Sequence, residues 1–72
     1  GFNLKHLQMV AECFKTNTFI NKSILSEALG EELSDRQVRF LITKMEKAGF
    51  VDRKGGGKYI QYSQTTDFPK FN

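Results

Sequence analysis

The stretch Ser34-Asp-Arg-Gln-Val-Arg-Phe-Leu-Ile-Thr-Lys-Met-Glu-Lys-Ala-Gly49 carries a start, a face and a stop for one helix. Ser34 and Gln37 have the spacing of a capping box, in which the hydroxyl accepts from the amide three residues on and the Gln side chain reaches back. Steps of about 100° from Val38 gather Val38, Leu41, Ile42, Met45 and Ala48 into an arc of roughly 120°. Gly49 accepts the left-handed backbone with which helices commonly end. These signals predict a helix over 34–48. Its other side holds Arg36, Arg39, Phe40, Thr43, Lys44 and Lys47, which is four cations and no acid. Asp35 and Glu46 fall at the margin, so the cationic strip is expected to run uninterrupted. A merely solvated helix usually mixes signs, because interspersed pairs stabilise it by about 0.2–0.5 kcal/mol each.

Upstream of this helix, Asn21 stands where an N-cap belongs and is followed by Ile24, Leu25, Ala28 and Leu29 on one face and by Gly30, which predicts a short helix. Before it, Leu4, Leu7, Val10, Ala11 and Phe14 have helical spacing and define a first helix with one apolar face. Phe19-Ile20 is a β-favouring pair that forms a stub of strand. After Gly49, Phe50 to Arg53 and Lys58 to Ser63 read as two strands joined across Gly55, Gly56 and Gly57. The fold class expected is α+β, with three helices, a strand stub after the first and a C-terminal β-hairpin. The domain spans 1–63, and 64–72 is an irregular tail in which Phe68 precedes proline and is biased to extended backbone.

Seventy-two residues make one domain with little room for an enzyme cleft of ordinary size. The net charge of +3 is unevenly spread. Residues 1 to 33 carry Lys5, Lys15 and Lys22 against Glu12, Glu27, Glu31 and Glu32, a balance of −1. Residues 34 to 58 carry Arg36, Arg39, Lys44, Lys47, Arg53, Lys54 and Lys58 against Asp35, Glu46 and Asp52, a balance of +4. Concentration of the excess in one stretch is what a polyanion-binding surface requires. Cys13 is the only cysteine, which excludes an internal disulfide and fits an intracellular, cytoplasmic home. No apolar run approaches the roughly 20 residues of a membrane span, and no signal peptide is evident, so no membrane association is expected. The start at Gly1 in place of Met predicts a piece of a longer protein.

The runs Phe19 to Gly30, Ser34 to Val51 and Arg53-Lys-Gly-Gly-Gly-Lys-Tyr59 together resemble a bacterial-type winged helix-turn-helix domain, over residues 4 to 63. The segment from Ser34 is similar to the recognition helices of the MarR and GntR regulator superfamilies, with a serine cap, a central valine, a leucine-like residue and a closing glycine. The glycine-rich hairpin followed by an aromatic residue also looks like winged helices appended to Fic-type and AlbA-type bacterial proteins. The resemblance implies double-stranded DNA as partner, with the third helix in the major groove and the hairpin, or wing, on the backbone or minor groove. The positions carried over are Asp35, Arg36, Gln37, Arg39, Phe40 and Lys44 on the helix and Arg53, Lys54 and Lys58 on the wing. Asp35 and Phe40 depart from the family's usual basic, small or polar residues. By their own chemistry, Arg36, Gln37 and Arg39 are the base readers expected, since arginine grips guanine and glutamine grips adenine bidentately. Lysines and the wing arginine suit phosphate.

Gly55-Gly56-Gly57-Lys58 lacks the glycine spacing, the following Ser or Thr and the helix of a phosphate-binding loop, so no cofactor is expected. His6, Met9 and Cys13 share a helical side but lack the ligand set of a metal site. No nucleophile, base and orienting group fall together, and no catalysis is expected. Phe2, Met9 and Cys13 form a second apolar stripe on helix one. Either the tail, with Phe68 and Phe71, folds back over it, or it docks a second copy or a neighbouring domain. The rival to DNA binding is a protein-interaction or autoregulatory module that uses this stripe and Phe40 as an anchor.

Overall fold

The computed structural model describes residues 1–71. Helix α1 runs Leu4–Thr16, strand β1 Phe19–Ile20, helix α2 Lys22–Leu29, helix α3 Asp35–Lys47, strand β2 Val51–Lys54 and strand β3 Gln61–Gln64. The three strands form one antiparallel sheet in the order β1-β3-β2. The stub β1 pairs with the last strand, Phe19 opposite Ser63 and Ile20 opposite Tyr62. The hairpin register sets Val51 opposite Gln64 and Arg53 opposite Tyr62. The expected α+β order of elements is therefore present.

Each helix starts where a side chain satisfies amides that have no partner within the helix. Asn3 Oδ1 accepts from the amides of Lys5 and His6 at 2.9 and 3.4 Å, a cap not anticipated from the sequence. Asn21 Oδ1 accepts from Ile24 at 2.8 Å. At α3 both arms of the capping box close: Gln37 N–H donates to Ser34 Oγ at 3.2 Å and Ser34 N–H to Gln37 Oε1 at 2.8 Å. Such caps contribute about 1 kcal/mol each.

The end of α3 is a Schellman arrangement. Gly49 has φ of 78°, its amide donates to the Glu46 carbonyl at 3.0 Å, and the Phe50 amide donates to the Met45 carbonyl at 2.9 Å. Because that amide belongs to the helix end, β2 begins at Val51, one residue later than the sequence suggests. Gly30 closes α2 differently, with helical backbone at φ −60°, and the amides of Glu32 and Leu33 both donate to the Leu29 carbonyl.

Helix faces and sheet enclose a core of Leu7, Val10, Ile20, Leu25, Leu29, Val38, Leu41, Ile42, Met45, Val51, Tyr62 and Phe68. Burial of each large aliphatic side chain contributes about 1.5–3 kcal/mol. Leu4, expected on the core face, is 66% exposed, because it lies in the overhanging first turn of α1 and Leu7 is the first residue of that helix to reach the interior. The tail expected over 64–72 starts one residue later, because Gln64 belongs to β3, and position 72 lies outside the described residues; 65–71 has no helix or strand, yet Phe68 is buried in the core. Its ring stands 5.9 Å from both Phe14 and Phe50, in edge-on contacts, and Phe2 lies 5.1 Å from Phe50. The second apolar stripe of α1 is thus half-covered from within: Phe2, Met9, Cys13 and Phe71 are partly buried against the core.

At the hairpin tip the second strand is shorter than expected. Gly57–Tyr59 forms one turn of 3-10 helix, and β3 starts only at Gln61. Gly55 has φ of 76°, and a Cβ there would lie 2.8 Å from the Tyr59 carbonyl oxygen, so the tip closes only over a glycine.

No described helix is long and apolar enough to cross a membrane.

Candidate nucleic-acid interface

Val38, Leu41, Ile42 and Met45 of the apolar face of α3 are buried, while Ala48, the cap at its end, is exposed, and this packing turns the opposite face to solvent. Arg36, Phe40, Thr43 and Lys47 form an exposed stripe along it, at three- and four-residue spacing. Phe40 is 67% exposed in the middle of that stripe. Thr43 is exposed, and its Oγ1 donates back to the Arg39 carbonyl at 3.1 Å.

The remaining cations of the helix are engaged. Asp35 Oδ2 lies 3.7 Å from Arg39 Nε, while Oδ1 pairs with Lys22 and accepts from Ser26 Oγ at 3.5 Å. The hydrogen bond from Lys22, with the charges of Lys22 and Arg39, holds the Asp35 carboxyl below its ordinary range. Lys44 is half-buried. It donates to the Gly1 carbonyl, and its ammonium lies 4.6 Å from the centre of the Phe2 ring and 6.0 Å from that of Phe40. Gln37 has its side-chain oxygen committed to the Ser34 amide, so the two-point grip on adenine expected of it requires opening the cap.

The hairpin is tied to α3 by a two-point ion pair. Arg53 Nε and Nη2 donate to the two carboxylate oxygens of Glu46 at 3.2 and 3.0 Å, which raises the guanidinium pKa further. Lys54 and Lys58 are exposed beyond that tie, and the Lys58 ammonium sits 5.4 Å from the ring centre of Tyr59. Tyr59 is itself 74% exposed.

Between α3, the start of α2 and the hairpin runs a groove of about 780 Å³, lined by Lys22, Asp35, Arg39, Thr43, Glu46, Arg53 and Lys58 among others. Its acids correct the expectation of an uninterrupted strip: Asp35 and Glu46 do not stand aside but draw Arg39 and Arg53 into pairs. Among the described residues, Arg36, Lys47, Lys54 and Lys58 have no ion-pair partner. The sequence-level site therefore divides. Arg36, Phe40, Thr43 and Lys47 lie together on the outer face, with Lys54 and Lys58 free on the hairpin; Arg39 and Arg53 are paired in the groove; Lys44 is drawn toward the N-terminal segment. Nothing in local spacing relates Lys22 to Asp35, so the sequence does not announce its place here. The hairpin motif marks the position of Tyr59 but not the exposure of its ring.

Among the described residues no three His, Cys, Asp or Glu side chains come close enough to hold a metal ion. His6 and Lys5 lie instead against Glu32, at 3.7 and 3.3 Å. Burial pushes the Cys13 thiol up from its ordinary pKa, which lowers its reactivity at neutral pH. Compared with known proteins, the chain matches no family model, no curated protein and no solved structure.

Proposed function

We propose that this chain is a winged helix-turn-helix module that binds double-stranded DNA, with helix 34–48 in the major groove and wing 53–58 along the backbone. The observation that carries the reading is the set Arg36, Lys47, Lys54 and Lys58, exposed, without ion-pair partners among the described residues and distributed over one helix face and the adjoining hairpin. Exposed cations left without acids are suited to phosphate oxygens, which fix register without reading sequence. Arg36, near the start of the helix, is the base reader best placed for guanine, and Thr43 offers an oxygen and a methyl to a base edge. Lys47, Lys54 and Lys58 serve the backbone. Arg39 and Arg53 join once phosphates compete with Asp35 and Glu46. A cytoplasmic regulatory or DNA-associated protein of bacterial type is the setting such a module fits.

The test is a titration of a labelled mixed-sequence duplex by fluorescence anisotropy at several salt concentrations. With about five phosphates neutralised, the logarithm of the affinity falls against the logarithm of salt with a slope near −4. Binding that ignores salt, or no binding at the lowest salt, overturns the proposal.

A further inference from the structure

We propose that Phe40 reads the C5 methyl group of thymine, so that the module distinguishes thymine from uracil at the same place in a duplex. The inference rests on the DNA-binding reading and deepens it by naming the base feature that the exposed ring recognises.

The remaining large apolar side chains of α3, Val38, Leu41, Ile42 and Met45, are all buried, and Phe40 alone is turned outward. Its surroundings fix the chemistry of an occupant. Arg36 stands one turn before it on the same stripe, Lys47 two turns after it, and the Lys44 ammonium lies 6.0 Å from the ring centre. The complementary surface is apolar at its centre and anionic at its rim. A hydrophobic protein patch matches the centre and leaves the surrounding cations without partners. The major groove matches both, because its walls are phosphates and thymine contributes the one apolar group among the base edges displayed there. Arg36 and Phe40 are separated by about 6 Å along the helix axis, so one helix face can hold a guanine contact and a methyl contact at once. Thr43, next on the stripe, carries a second methyl group.

The target sequence need not be known to test this. Binding is measured to four alternating duplex polymers, poly(dA-dT), poly(dA-dU), poly(dG-dC) and poly(dG-5-methyl-dC), in each of which the docking registers repeat every two base pairs and every register meets the same pyrimidine. The wild-type chain is expected to bind poly(dA-dT) about fourfold more tightly than poly(dA-dU), the worth of one buried methyl group. It is also expected to gain a similar factor from methylation of cytosine, which places a methyl at the equivalent position. Phe40→Ala is expected to bind all four and to lose both methyl effects, with its circular dichroism unchanged because the ring is outside the core. Equal wild-type affinity for the thymine and uracil polymers overturns the inference and leaves DNA binding standing. Persistence of the preference in Phe40→Ala also overturns it, since the methyl is then read by another group, such as Thr43, or through duplex shape. Failure to bind any of the four at low salt removes the DNA reading itself.

Discussion

The two flanks of α3 carry similar numbers of cations and behave oppositely. On the groove side Arg39 shares Asp35 with Lys22, and Arg53 is gripped by Glu46 across to the hairpin. On the outer side Arg36 and Lys47 have no such partners among the described residues, and an aromatic ring lies between them. Counting charges along the chain treats the flanks as equivalent. Availability for an anion therefore depends on which cations the fold has already paired. It also gives the paired side a second role: the Glu46–Arg53 contact helps to hold the hairpin against the helix.

The widest separation between the flanks is expected in binding. Arg36→Ala combined with Lys47→Ala should weaken duplex affinity about a hundredfold and flatten the salt slope by about 2, whereas Arg39→Ala should cost less than about fivefold. Anisotropy titrations of the three proteins decide the matter, and an Arg39→Ala loss as large as that of the double variant removes the distinction. A smaller and opposite effect is expected from Glu46→Gln. With its carboxylate gone, Arg53 becomes available, and duplex binding should tighten about threefold with a steeper salt dependence. Weakened binding shows instead that the pair aims Arg53 at the backbone, so that pairing and recognition are one function.

The smallest effect concerns Asp35 and is read in stability. A carboxyl whose folded pKa lies below its unfolded value, about 3.9, stabilises the fold above that value and loses this contribution as the pH falls through the folded pKa. Asp35 is such a group, held down first by the hydrogen bond from Lys22. Thermal unfolding followed from about pH 5 to about pH 2 should therefore decline slightly more for the wild type than for Asp35→Asn. Parallel curves mean that the Lys22 contact is not maintained in solution.

What the sequence made legible is what local chemistry controls. Asn21, the Ser34–Gln37 box and Gly49 act within three or four residues, and the period of Val38, Leu41, Ile42 and Met45 is a property of one helix, so all could be read in order along the chain. The strand stub Phe19–Ile20 was readable from its side chains, but its partner in β3 was not, since pairing depends on how the intervening helices fold. The burial of Phe68 and the exposure of Leu4 have the same origin: each depends on where a neighbouring element ends. For the candidate site, the composition of the outer stripe was legible and the pairing was not. Lys22–Asp35 and Arg53–Glu46 join different elements, and no periodicity announces them. The commitment of Gln37 was implicit in its own capping box, whose closure withdraws the oxygen that base reading needs.

The joint after α3 has a consequence for any ligand that spans helix and hairpin. The Phe50 amide closes the helix end on Met45 while the Phe50 carbonyl accepts from the Thr65 amide at 3.0 Å, and Thr65 Oγ1 donates to the Gly49 carbonyl at 2.6 Å. One short segment is thus bonded both to the helix it leaves and to the chain beyond the last strand. Helix and hairpin are fastened as a single preformed jaw, and a molecule seated across both loses little affinity to the ordering of the protein around it.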